Sequence, residues 1–198
     1  LRPPDPTHSR TSFFPAFSTL DPRCLGSGFF YFDSNEGDEM PRFPLIEVRP
    51  YHPSDLDGVI DLFQRAVRET ASADYNEAQI AAWAQADRDE WELARLNRPT
   101  WVGLVDGELA GFADLEKNGL IDMMFVDPLH QRKSVATSLL ARIEAEADEM
   151  GLNTLHTYSS VTGRPFFEYC GFTMLLARAI IVREQRFVQF VMEKVLEP

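Results

Sequence analysis

From residue 45 the chain sets short apolar runs against amphipathic stripes. "LIEVRP" (45–50) reads as a strand closed by Pro50. Residues 53–70 carry Leu56, Val59, Ile60, Leu62, Phe63, Ala66 and Val67 at three-to-four spacing, which predicts a helix with Ser54 as its N-cap. A second, shorter helix is predicted over 76–87. Residues 100–116 read as two strands joined at Asp106-Gly107, a hairpin signal. "GLIDMMFVDP" (119–128) reads as a third strand, mostly apolar and therefore central. Over 134–150 a long helix turns Val135, Leu139, Leu140, Ile143 and Ala147 inward and Glu144, Glu146, Asp148 and Glu149 outward, and Gly151 stops it. The strand predicted at 153–160 is separated from 119–128 by this helix, so the two run parallel. A short helix at 163–170, with Pro165 in its first turn and Gly171 at its end, precedes a closing strand pair over 172–196.

Residues 1–39 break this order. "LRPPDPTHSR" and "DSNEGDE" are rich in Pro, Ser and charge, and the aromatics of "FFYF" fall in no register. The expectation is a disordered N-terminal extension followed by one domain over 40–198. The first methionine is Met40, so a natural start there, with the leader as upstream read-through, is the working hypothesis; an intact mass on native protein checks it. A docking tail that uses its aromatics is the rival. Formal net charge is -12 and the pI is near 4.7, which argues against a general binder of nucleic acid or acidic membranes. Such a body either favours a cationic or amine-bearing substrate or serves solubility. Cys24 and Cys170 fit neither a zinc pattern nor a disulfide framework and read as reduced thiols of a cytoplasmic protein. No apolar run reaches a membrane span and no signal-peptide pattern opens the chain.

The residues between the third strand and the long helix carry the chemistry. Gln131, Arg132 and Lys133 stand at a helix N-terminus, where unpaired N–H groups and the positive end of the dipole disfavour cations. An anion between them resolves the conflict, and strand, loop, helix and parallel strand make one βαβ unit whose crevice is a usual ligand position.

These residues resemble the GCN5-related N-acetyltransferase (GNAT) superfamily in a small, bacterial-type, single-domain form. Its acetyl-CoA motif is Gln or Arg, two variable residues, Gly, one variable residue, then Gly or Ala; here it reads Gln131-Arg132-Lys133-Ser134-Val135-Ala136. "FVDPLH" before it, "TSLL" after it and "GRPFFEYCGF" (163–172) are also similar to the family's, and the resemblance covers about three quarters of the chain. It implies an α/β fold: a mixed, mostly antiparallel sheet with one splayed parallel strand pair and helices on both faces. It implies that the amides of Arg132, Lys133, Ser134, Val135, Ala136 and Thr137 cradle the coenzyme A pyrophosphate. The backbone of Phe125 and Val126 would pair with the pantetheine arm. The reaction implied is direct acetyl transfer from acetyl-CoA to an amine of a small molecule or protein, with no metal. A coenzyme A-binding sensor or scaffold without turnover is the alternative.

Two positions depart from the pattern. Ser134 replaces the motif's Gly; the favoured expectation is that it keeps ordinary dihedrals, caps the helix and offers its hydroxyl to phosphate. Phe167 stands where the family often has a Tyr proposed to protonate the leaving thiolate, and Tyr169 lies roughly 200° further around a helix.

For the general base the first choice is Asp122, an acid in an otherwise apolar strand, with strand alternation turning it to a solvated edge or to a structural partner such as Arg as the alternative. Ser160 either lines the pocket or caps the next helix. His156 reads as a packed or surface residue, and Asp114 and Glu116 as a solvated strand end rather than a cation site. Trp83, Trp91 and Trp101 read as core, although Trp83 sits on the helix that borders the acceptor in the family. No side-chain set selects one amine. The apolar C-terminal stretch 179–192 either pairs across a homodimer or completes the sheet.

Overall fold

The structure is a computed structural model, and it describes residues 45–197. The leader, Cys24 and Met40 lie outside the described residues. The elements are β1 (Ile46–Pro50), α1 (Leu56–Arg65), α2 (Glu77–Trp83), α3 (Arg88–Asn97), β2 (Thr100–Val105), β3 (Glu108–Asp114), β4 (Leu120–Ile121), β5 (Met124–Val126), α4 (Val135–Glu149), β6 (Thr154–Ser159), α5 (Arg164–Tyr169), β7 (Thr173–Val182) and β8 (Gln185–Val195).

The strands form two four-stranded sheets, ordered β1-β2-β3-β5 and β4-β6-β8-β7. All pairs are antiparallel except β4–β6. Alternation along β2 shows how both faces are used. Trp101 and Val105 join Val135, Leu139, Leu140, Ile143 and Ala147 of α4 in one core. Val102 joins Leu56, Val59, Leu62 and Phe63 of α1 and Trp91 of α3 in the other. Helices therefore cover both faces, as expected, and the five inward positions predicted for α4 are all buried.

The hairpin falls at Asp106 (φ 51°) and Gly107 (φ 88°), the positive-φ pair that suits a two-residue turn between twisted strands. One cap and one helix boundary need correction. Ser54 caps nothing: a 3-10 turn at Pro53–Asp55 precedes α1, and His52 is its N-cap, with the His52 N–H donating to Asp55 Oδ2 at 2.8 Å. The predicted helix 76–87 ends at Trp83. Asp87 instead caps α3, its Oδ1 accepting from the amides of Asp89 and Glu90 at 3.1 and 3.0 Å. Pattern reading misses α3 because its buried face pairs Trp91 with a charged residue, Arg95.

The stretch 119–128 is not one strand. Leu120 and Ile121 pair with His156 and Thr157 of β6, whereas Met124–Val126 pair with Gly111–Ala113 of β3. Asp122 and Met123 form the break, so the chain leaves one sheet for the other. The buried Asp114 carboxylate holds it there: its Oδ1 accepts from the amides of Asp122 (3.2 Å) and Met123 (2.9 Å). Residues 179–192 are likewise two strands, turned at Arg183 (φ 46°) and Glu184 (φ 66°), and the β7–β8 hairpin completes the second sheet. Its outer strand β7 leaves Leu175, Leu176 and Ile181 exposed.

Candidate active site

The break at Asp122–Met123 opens a wedge. β5 is an edge strand of the first sheet, β6 diverges from it beyond Thr157, and a cleft of about 390 Å³ lies between them. Thr157 Oγ1 donates to the Ile121 carbonyl at 2.9 Å and pins the apex. One wall is the backbone edge of Met124 and Phe125, whose outward N–H and C=O groups have no strand beside them among the described residues. The expected roles of Phe125 and Val126 thus fall on the open edge of the sheet.

The loop from β5 to α4 is fastened at both ends to the first helix. Asp127 accepts from Arg65 Nε at 3.0 Å and from the Leu129 amide at 2.9 Å. Burial raises the Asp127 carboxyl, but Arg65 and the amide outweigh it and hold the group below its ordinary range. Gln131 Nε2 donates to Thr70 Oγ1 at 2.5 Å, at the end of a π-helical segment, Ala66–Thr70, that extends α1. Gln131 is therefore a strut from the loop to that segment.

Beyond it the backbone turns left-handed at Arg132 (φ 60°) and again at Ser134 (φ 63°, ψ 11°). Repeated left-handed residues aim successive N–H groups to one side. The first α4 hydrogen bond outside the helix proper is Ser138 N to Ser134 O at 2.9 Å, so the amides of Val135, Ala136 and Thr137 have no partner one turn back. The expectation for Ser134 is corrected: its dihedrals are glycine-like and its side chain makes no cap bond. A serine held there costs about 1 kcal/mol. Arg132 and Lys133 are exposed and form no ion pair among the described residues. Oriented amides, a helix dipole and two exposed cations suit an anion such as a pyrophosphate.

Gly111 on β3 sets how close α4 comes. A Cβ there would meet Val135 Cγ1 at 2.8 Å and the Phe125 carbonyl oxygen at 3.0 Å. The first turn of α4 and the edge strand are thus seated against one glycine.

A charge cluster adjoins the cleft through Asp122. Arg98 Nη1 lies 2.7 Å from Asp122 Oδ2, 3.1 Å from Glu116 Oε1 and 3.4 Å from Asp114 Oδ2. Arg95 Nη2 lies 2.9 Å from Asp114 Oδ2, with both side chains at or below 1% exposure. Burial raises the Asp114 carboxyl against the pull of Arg95, and burial lowers Arg95. Asp114 is accordingly a buried anchor, not a solvated strand end. Asp122 is not buried in a strand either; it stands at the break, 38% exposed, on the cleft wall. Its pairing with Arg98 is the alternative weighed from sequence. The cluster holds one more negative than positive charge.

The far wall is built of side chains. Asn76 caps α2 and Gln79 reciprocates, while Gln79 Nε2 donates to the Arg186 carbonyl at 2.7 Å and Arg183 Nη1 to the Ala82 carbonyl at 2.8 Å. These bonds tie α2 to the β7–β8 hairpin, and Trp83 and Phe187 meet across the joint at 6.1 Å between ring centroids. Trp83 is only partly buried and lines the cleft as well as packing. Ser160 borders the cleft but does not cap the next helix: the N-cap of α5 is Gly163, which has no side-chain cap bond, and the Ser160 Oγ accepts from the Gly163 amide at 3.0 Å in the turn before it. His156 is not on the cleft lining and packs edge-to-face on Tyr158. Sequence reasoning missed Tyr75, Arg98, Thr70 and Phe187, each of which arrives from a distant segment.

Among the described residues no group of three His, Cys, Asp or Glu side chains is placed to hold a metal, and no helix is long and apolar enough to cross a membrane.

Comparison with known proteins follows the same lines. Residues 71–194 match the family model described as an acetyltransferase (GNAT) domain. The chain is 34% identical over 147 residues to the uncharacterized N-acetyltransferase YafP of Escherichia coli K12, covering 74% of this chain and 94% of that one. It is similar to the crystal structure of a GCN5-related N-acetyltransferase from Rhodopseudomonas palustris, with a TM-score of 0.74, 26% identity, and coverage of 81% of this chain and 100% of that one. It is also similar to the PaiA N-acetyltransferase of Thermoplasma acidophilum, solved in complex with coenzyme A, at a TM-score of 0.61, 20% identity and coverage of 77% and 99%. That last likeness shows the fold alone.

Proposed function

Since the chain belongs to the GNAT family of N-acetyltransferases, we propose that it transfers the acetyl group of acetyl-CoA directly to the amine of a small molecule or protein. One observation carries this reading: the edge of β5, unpaired among the described residues, runs from the cleft toward a loop whose left-handed turns and two cations, without an ion pair among the described residues, sit at the start of α4. The residues fit the cosubstrate along its length. Arg132 to Thr137 would take the pyrophosphate, Phe125 and Val126 the pantetheine, and Ser160 the thioester end. Direct transfer needs no protein nucleophile; an amine oriented beside the thioester gains most of its advantage from proximity.

The acceptor enters from the aromatic end, between Trp83, Trp91 and Phe187. These walls favour an amine carried on an apolar body, and the excess negative charge near Asp122 draws its ammonium. Asp122 takes the amine proton, directly or through water, while Arg98 fixes its carboxylate. The cytoplasm, where thiols stay reduced, is the compartment that suits this chemistry.

Calorimetric titration of the full chain with acetyl-CoA tests the reading, with Arg132→Glu as control. Binding in the micromolar range that weakens by roughly 10- to 100-fold in the control is expected, because one phosphate contact is lost and a repulsion is added. No binding at millimolar acetyl-CoA refutes the site. Binding without thiol release on any amine of a broad panel would return the sensor alternative.

A further inference from the structure

One face of the second sheet runs along the cleft. Cross-strand partners share a face, and the register pairs Tyr158 with Val191, Val191 with Leu176, Gln189 with Arg178 and Phe187 with Ile180. Phe187 packs against the rings of Tyr75 and Trp83. Two residues further along β8 comes Gln189, then Val191 beside Tyr158. Asp122 directly follows Ile121, the partner of Thr157, so it leaves the sheet next to Tyr158. Phe187, Gln189, Tyr158 and Asp122 all line the cleft. An apolar end, an amide, a phenol ring and a carboxylate thus succeed one another along it.

Arg178 stands at the middle of that row. Its guanidinium carbon lies 4.4 Å from the centroid of the Tyr158 ring, and its Nε donates to Gln189 Oε1 at 2.9 Å. The residue is exposed, yet it makes no ion pair among the described residues. A guanidinium stacked on a ring and fastened at Nε has a fixed plane, and its two Nη groups remain as a fork for a planar anion. Gln189 uses its carbonyl on that Nε, which leaves its NH2 beside the fork. Arg183 also lines the cleft, but its Nη1 is turned to the Ala82 carbonyl at 2.8 Å.

Resting on the acetyl-transfer reading, we propose that Arg178, seated on Tyr158 and Gln189, is a carboxylate subsite, and that the acceptor is an amino acid with an apolar side chain. The ammonium faces Asp122, the carboxylate takes the Arg178 fork, and the side chain lies against Trp83 and Phe187. Each charge of the zwitterion then leaves water for a partner of opposite sign. The step balances. The ammonium loses one proton to Asp122 and on to water, the nitrogen bonds to the thioester carbon, and the C–S bond breaks. Sulfur leaves with the electron pair, and the second nitrogen proton ends on the thiol. The product keeps its carboxylate but not its ammonium charge, so it still holds Arg178 and no longer Asp122.

Matched pairs of acceptors test the subsite: L-phenylalanine against phenethylamine, and L-leucine against 3-methylbutylamine. Each pair differs only in the carboxylate. With acetyl-CoA and thiol release as the readout, the amino acid should have the higher kcat/KM by roughly 10-fold or more. Arg178→Gln should lower that ratio by roughly 10-fold through KM for the amino acid, with KM for acetyl-CoA within about twofold and Tm that of the parent. Arg178→Lys, which keeps the charge and loses the fork, should recover part of the ratio. N-acetyl-L-phenylalanine should compete with L-phenylalanine, and several-fold more weakly in Arg178→Gln. A ratio at or below one in the unaltered chain, or one that Arg178→Gln leaves in place, overturns the subsite and leaves acetyl transfer standing. A ratio lost in Arg183→Gln but kept in Arg178→Gln puts the carboxylate at the other arginine and overturns it too. Amino acids left untouched while other primary amines are acetylated count against it in the same way. No turnover of any amine refutes both readings.

Discussion

The two walls of the cleft are made of different material. The wall proposed for the cofactor is backbone: the edge of β5, continued outside the cleft by the amides of Val135 to Thr137, positioned by one glycine and two left-handed residues. The wall proposed for the acceptor is side chains: Tyr75, Trp83 and Phe187, brought from three separate segments. A backbone wall tolerates exchange of most side chains but not of the few that set its path. A side-chain wall can be re-cut residue by residue while the path holds. Both walls hang on the Asp122–Met123 break, which places β5 in one sheet and β4 beside β6 in the other.

The largest expected effect tests that shared hinge. Asp114→Asn keeps an oxygen to accept from the amides of Asp122 and Met123 but leaves the Arg95 guanidinium buried without its counter-charge. Breaking one side of a buried pair costs about 3–5 kcal/mol. Urea unfolding should show that loss, together with weaker binding of acetyl-CoA, because the wedge closes as the break relaxes. A loss below about 1 kcal/mol would mean that the backbone alone holds the two walls apart.

That hinge was also the part least visible in the sequence. "LIDMMFV" is an apolar run with one acid, and such a run reads as one strand. Its break depends on a carboxylate eight residues upstream and on Arg95, from a helix whose buried face carries a charge and so hides its period. The β5–α4 connection proposed to hold the cofactor was legible because it is local: strand, short loop and helix start lie in one run of residues. Even there the backbone of Ser134 was not, since a serine letter carries no sign of a positive φ. The Tyr75–Val161 bond spans 86 residues, and no spacing rule reaches that far.

A middle-sized effect isolates the backbone wall. Gly111→Ala puts a methyl 2.8 Å from Val135 Cγ1, 3.0 Å from Leu139 Cδ1 and 3.0 Å from the Phe125 carbonyl oxygen. Overpacking of this kind costs about 1–3 kcal/mol. Because the displaced atoms belong to α4 and β5, acetyl-CoA affinity should fall with stability, while Trp83 fluorescence on the acceptor wall should barely change. Calorimetry beside steady-state fluorescence checks this, and equal disturbance of both would show that the walls are one packed unit.

The smallest effect asks what Ser134 contributes. Glycine there removes the cost of holding a side chain at φ 63°, about 1 kcal/mol, but adds a comparable loss of freedom on folding. The two offset, so Ser134→Gly should leave stability within about 0.5 kcal/mol of the parent. Affinity for acetyl-CoA should rise a few-fold, because phosphate approaches the amides more closely without a Cβ. Ser134→Ala separates the hydroxyl from the strain: it keeps the left-handed cost and loses only the oxygen. If alanine binds acetyl-CoA as tightly as serine while glycine binds more tightly, the loop is a pure amide cradle that carries serine as a burden. If alanine binds more weakly and glycine no better, the hydroxyl is itself a phosphate ligand. The backbone wall would then contain one side chain that matters.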